Sequence, residues 1–95
     1  MDDHRPSSDL LESSHSFPGV YQIKAIGVSG GDFVERVLAA AADELASPSE
    51  MDHTTRATPS GKHVSLTLDM TVQNAEQVRA IYARIREVEG LTLLF

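Results

Sequence analysis

An α+β fold with the element order βαββαβ is predicted by three features of this 95-residue sequence. A two-residue alternation of apolar and polar side chains runs through HVSLTLDMTV at 63–72. Two stretches with a helical period follow strand-like runs, one over 32–46 and one opening at Asn74. Turn formers then separate the segments: Gly30-Gly31, Ser47-Pro48, Pro59-Ser60-Gly61 and Gly90.

FPGVYQIKAIGV (17–28) reads as the first strand. Tyr21, Ile23 and Ala25 share one face and Gln22 and Lys24 the other, with Ile26 and Val28 falling on that polar side. From Asp32 to Ala46 the period changes, and Phe33, Val34, Val37, Leu38, Ala41 and Leu45 form one helical stripe. Ser47-Pro48 is expected to end this helix, because the residue before a proline is pushed out of the α region. MDHTTRAT (51–58) is polar and threonine-rich, a composition suited to an edge strand with one solvated side. PSGK (59–62) is a turn. In the strand at 63–72, Val64, Leu66, Leu68, Met70 and Val72 face a core, and Ser65, Thr67, Asp69 and Thr71 face water. Asn74, with Gln77 three residues on, makes a variant capping box for a helix whose stripe is Val78, Ile81, Tyr82, Ile85 and Val88. Gly90 is placed as its C-cap, and LTLLF (91–95) is a last short strand.

That order is the split βαβ, ferredoxin-like arrangement: a four-stranded antiparallel sheet with two helices on one face and the other face open. The first and third strands would be central, and the polar second strand would lie at an edge.

Residues 17–95 hold this single domain, and residues 1–16 read as a mobile acidic tail with only Leu10 and Leu11 as adjacent apolar residues. The net charge is −6, and the tail contributes Asp2, Asp3, Asp9 and Glu12 against Arg5 alone. An acidic domain repels a phosphate backbone, so no nucleic-acid partner is expected. The sequence has no cysteine, which removes thiolate metal sites, thiol nucleophiles and disulfides. With no apolar run of membrane-spanning length and no secretory pattern at the N-terminus, a cytoplasmic location is expected.

Motifs that carry chemistry are few. Residues 27–33, GVSGGDF, join a strand to a helix through glycines, as phosphate cradles do, but neither the P-loop lysine nor the GxGxxG spacing is present. Asp32 stands where an anion would dock and is expected to cap the helix itself, with Glu35 completing a capping box. His4, His15, His53 and His63 have no metal-ligand spacing; His63 would pair near Ala57 or Thr58, away from His53. No base stands beside a serine in a hydrolase-like pattern, and Ser65 is a strand residue of the open face. Asp69 on that face is expected to neighbour Lys24 across the sheet. The central strands offer no aromatic platform for stacking bases.

FPGVYQIKAIG, TPSGKHVSLTL, NAEQVRAIYARI and LTLLF, in that order and spacing, resemble the YbeD-like family of small uncharacterised bacterial proteins over about residues 17–95. His63 stands where that family usually has tyrosine, Asp43 near a usual histidine, and Thr92 in place of a usual lysine. The resemblance implies a ferredoxin-like fold similar to ACT domains, regulatory modules that bind amino acids at subunit interfaces. By that analogy an effector would sit at the first strand-to-helix turn, at Gly27, Ser29, Gly30, Gly31 and Asp32.

The expected function is non-enzymatic: a regulatory or adaptor domain that contacts a protein partner, or a copy of itself, through its open sheet face or an edge. Gln22, Lys24, Ser65, Thr67 and Asp69 are the candidate contact residues. The alternative is an ACT-like small-molecule sensor using the glycine turn within an oligomer. No catalytic residue, cofactor or metal is assigned.

Overall fold

The computed structural model describes residues 17–47 and 50–95. The tail expectation, at 1–16, lies outside the described residues. The elements follow the predicted order: β1 (Gly19–Val28), α1 (Phe33–Ala42), β2 (Met51–Ala57), β3 (His63–Val72), α2 (Ala75–Arg86) and β4 (Leu91–Leu94). They form one antiparallel sheet of order β2-β3-β1-β4, with β1 and β3 central and β2 and β4 at the edges.

The sheet is buried on one side because the pleat sorts alternate side chains. Ile23 and Ala25 of β1 and Leu66, Leu68, Met70 and Val72 of β3 point into the core. Phe33, Val37 and Ala41 of α1 meet them there, with Val78, Ile81 and Ile85 of α2. Among the described residues no polar or charged residue is buried. The continuous ten-residue register between β1 and β3, from Gly19 opposite Val72 to Val28 opposite His63, joins the first βαβ half of the fold to the second.

Helix α1 is shorter than its apolar stripe. It ends at Ala42, and the chain continues in turns in which the Glu44 and Leu45 amides bond to the Ala41 and Ala42 carbonyls. These i→i−3 bonds tighten the exit before Pro48 is reached and still bury Leu45. Asp32 occupies the N-cap position but makes no side-chain cap bond, contrary to the expected capping box. Its carboxylate instead pairs with Arg36, 3.0 Å away one turn on.

Helix α2 is capped as predicted, with Asn74 Oδ1 accepting from the Gln77 amide at 2.9 Å. Gln77 reaches back to the Gln73 amide, 2.7 Å, and donates to the Glu44 carbonyl, 2.7 Å, which ties α2 to the end of α1. Gly90 is not the C-cap: the helix closes at Glu87, and Gly90, at φ +94°, turns the chain into β4. Strand β2 is paired with β3 along all seven residues, yet only Met51 packs against the core. The helices stop short of His53, Thr55 and Ala57, which stay exposed on their own side.

Candidate functional site

Two surfaces follow from this geometry: the strand-to-helix turn after β1, and the sheet face that neither α1 nor α2 covers.

At the turn, the five candidate residues separate into different roles. Gly27 is buried beneath the Phe33 ring, and a Cβ there would lie 2.3 Å from Cζ. It is a packing requirement, closed to any ligand. Ser29 extends the β1–β3 ladder: its amide donates to the Lys62 carbonyl at 2.9 Å and its hydroxyl donates to the Gly61 carbonyl. This fastens the glycine turn to the β2–β3 hairpin, a junction that sequence spacing does not show. Gly30, Gly31 and Asp32 line an open cleft of about 200 Å³, completed by Val28, Phe33, Arg36, Glu89 and Gly90. Gly30 and Gly31 adopt φ of +85° and +63°, so the turn requires glycine twice. Arg36 spans the cleft between Asp32 and Glu89, 3.0 and 3.4 Å away. The site therefore presents one guanidinium between two carboxylates, at the N-terminal end of α1, where backbone N–H groups also point outward.

On the open face the five other candidates do lie together. Gln22 and Lys24 of β1 point away from the core, beside Asp69, Thr67 and Ser65 of β3. The expected Lys24–Asp69 pair is absent. Asp69 stands opposite Gln22, whose Nε2 donates to it at 3.0 Å, whereas Lys24 stands opposite Thr67. A two-residue error in register is enough to change a cross-strand partner.

The face is also less polar than its candidates imply. Ile26 and Val28 share it, and β4 adds Leu93 opposite Ile26 and Phe95, whose amide and carbonyl pair with Lys24. Val28, Leu93 and Phe95 are 51%, 50% and 61% exposed. These residues form an apolar strip along the β1–β4 side, next to the hydroxyl-lined β3. Leu93 and Phe95 were not legible because LTLLF has no alternation to read. A register shift between Ile26 and Gly27 then decides which of its leucines face the core.

At the other end of β1, on the helix side, Tyr21 and Tyr82 meet edge to face with ring centroids 6.4 Å apart, and Arg86 stands over Tyr82. Burial of Tyr82, with its hydrogen bond to Tyr21, pushes the phenol well above its ordinary pKa; Arg86 opposes this weakly. The Arg84 guanidinium is held above its usual value by its bond to Glu44, with Asp43 adding to the effect. Among the described residues no cluster of three His, Asp or Glu is placed to hold a metal ion. No helix among the described residues is long and apolar enough to cross a membrane.

A four-stranded sheet of this order under two helices is the ferredoxin-like fold, which ACT domains share. A solved ACT domain, from the GTP pyrophosphokinase of Chlorobium tepidum, superposes with a TM-score of 0.57 over 80% of this chain and 94% of its own, at 14% identity. The Helicobacter pylori protein HP0495 superposes with a TM-score of 0.64 over 99% and 91%, at 13% identity. The chain belongs to the DUF493 family of proteins of unknown function, whose model matches residues 12–95. Relatives include UPF0250 proteins of Shewanella piezotolerans, 28% identical over 79% of this chain and 83% of theirs, and of Shewanella halifaxensis, 28% identical over 87% and 88%. The expected fold and family are both borne out. Neither family description names a reaction.

Proposed function

We propose that this protein is a regulatory or adaptor domain that works by protein contact through its open sheet face or a sheet edge. The observation that carries this reading is the strip of Ile26, Val28, Leu93 and Phe95 on the face that neither α1 nor α2 covers. A contiguous exposed apolar strip rimmed by polar residues is a feature of interaction surfaces. Here the rim is Lys24, Ser65, Thr67 and Asp69. The test is to substitute Leu93→Asp together with Ile26→Asp and measure sedimentation and partner capture from the native host's lysate. The wild type is expected to retain a partner and the double variant to lose it at an unchanged thermal midpoint, whereas self-association through a sheet edge would survive the substitutions. A monomeric wild type that retains nothing overturns the reading.

A second reading, an ACT-like sensor of small zwitterions, is supported by the cleft at the first strand-to-helix turn. Arg36 would face a carboxylate, and Asp32 and Glu89 an ammonium group. Gly30 is a poor probe of it, since any side chain at φ +85° strains the backbone. Arg36→Ala is the cleaner variant. In a thermal-shift screen against amino acids, a hit at 100-fold its Kd adds about 2.7 kcal/mol and raises the midpoint by several degrees. The reading holds if Arg36→Ala abolishes that shift and fails if the screen is blank.

A further inference from the structure

The outer edge of β2 has a charge pattern that is complementary to itself. Met51–Ala57 is seven residues long, pairs with β3 in unbroken register, and contains no proline, lysine or bulge to blunt its free side. Edge β4 is different: four residues, with a register shift.

The direction of the free groups is fixed by the ladder. The Thr58 amide bonds to the His63 carbonyl, so alternation along the antiparallel pair turns the N–H and C=O groups of Asp52, Thr54 and Arg56 toward β3. Those of Met51, His53, Thr55 and Ala57 face outward. A second β2 laid antiparallel about a two-fold axis at Thr54 would bond His53 to Thr55 and Met51 to Ala57 of the other copy. Between those bonded pairs fall the non-hydrogen-bonded positions, where side chains approach most closely. They would hold Thr54 against Thr54, and Asp52 against Arg56, twice.

Among the described residues these charges are unmatched within one chain. Asp52 lies directly opposite Asp69, an unfavourable like-charge pair in which Asp69 accepts a hydrogen bond from the neutral Gln22. Asp52 and Arg56, four strand residues apart, are too distant to pair within one chain, and neither has an ion-pair partner among the described residues. Arg56 of a second copy would complete the row Gln22–Asp69–Asp52.

We infer that two copies of this chain pair through β2, antiparallel about Thr54, into a continuous eight-stranded sheet held in register by reciprocal Asp52–Arg56 contacts. This rests on, and narrows, the protein-contact reading above: the partner is a second copy and the surface is the β2 edge. It leaves both apolar strips free on one side of the joined sheet.

The test is a charge swap read by sedimentation equilibrium, with circular dichroism to confirm folding. Arg56→Asp alone sets acid against acid twice in the interface, and Asp52→Arg alone sets base against base twice. Each is expected to weaken the dimer on the order of tenfold or more. The double variant Asp52→Arg/Arg56→Asp rebuilds the pairs in reverse and is expected to return the dimer Kd to near the wild-type value. A wild type that stays monomeric at millimolar concentration overturns the inference. So does a dimer indifferent to all three variants. If that indifferent dimer dissolves on Leu93→Asp, the β2 assignment fails while the protein-contact reading stands.

Discussion

Gly27 illustrates how one missing side chain positions a whole turn. With no Cβ at Gly27, the Phe33 ring closes over β1; a Cβ would meet three of its atoms at 2.3 to 2.6 Å. Gly27→Ala is expected to cost about 1–3 kcal/mol in urea unfolding, because a ring in a packed core moves only with its neighbours. Combining it with Phe33→Leu should cost less than the two single losses together, since the clash goes with the ring. Tyr82 offers a test by pH. Its folded pKa is raised above the unfolded value of about 10, so the folded state favours the neutral phenol. The stability this contributes is fully present below pH 10 and declines as pH rises from there toward the folded value. Tyr82→Phe should therefore show a shallower loss of thermal midpoint between pH 9 and 11 than the wild type. An identical slope would show that the phenol is not held by its surroundings.

The two helices have similar apolar stripes and different starts. α2 has a side-chain cap in Asn74, supported by Gln77, whereas Asp32 before α1 is turned aside to Arg36. Asn74→Ala is expected to lower stability by about 1 kcal/mol, within the range for lost N-caps. Asp32→Ala removes only an exposed ion pair and a favourable charge at a helix start, and should cost about 0.5 kcal/mol or less. Equal losses in chemical denaturation would contradict this difference in capping. Sequence distinguished these helices incompletely. Asp32 with Glu35 and Asn74 with Gln77 have the same spacing, but Arg36 competes for the first carboxylate. Which partner prevails is settled by backbone angles at the cap, −122° and 33° at Asp32 against an extended −164° and 173° at Asn74.

At the scale of the molecule, the core lies wholly between the sheet and the helices, and the outward side of the sheet is separate from it. Val28→Thr and Leu93→Thr, singly or together, are therefore expected to change stability by less than about 0.5 kcal/mol each, with an unchanged denaturant slope. A loss above 1.5 kcal/mol would mean that this face is packed. Surface that is costless to polarise in the isolated chain is surface free to be used in contact, which links the architecture to the adaptor reading. The two edges divide the remaining work: β4 is short and shifted in register, whereas β2 keeps a full ladder of outward groups.

Alternation, helical period and turn residues determined the six elements, their order, the central places of β1 and β3, and the polar edge. These are periodic properties, and one chain displays its own period. Which face was open was legible for the same reason, as was its polar content at Gln22, Lys24, Ser65, Thr67 and Asp69. Register and proximity between distant segments were decided only in three dimensions. The bond from Ser29 to the hairpin, the choice of Gln22 over Lys24 as the partner of Asp69, the cleft closed by Glu89, and the apolar strip finished by Leu93 and Phe95 all depend on strands sliding to one alignment. That alignment is set by burying Ile23, Leu66, Leu68 and Ile81 together, a property of the assembled core that no single segment contains.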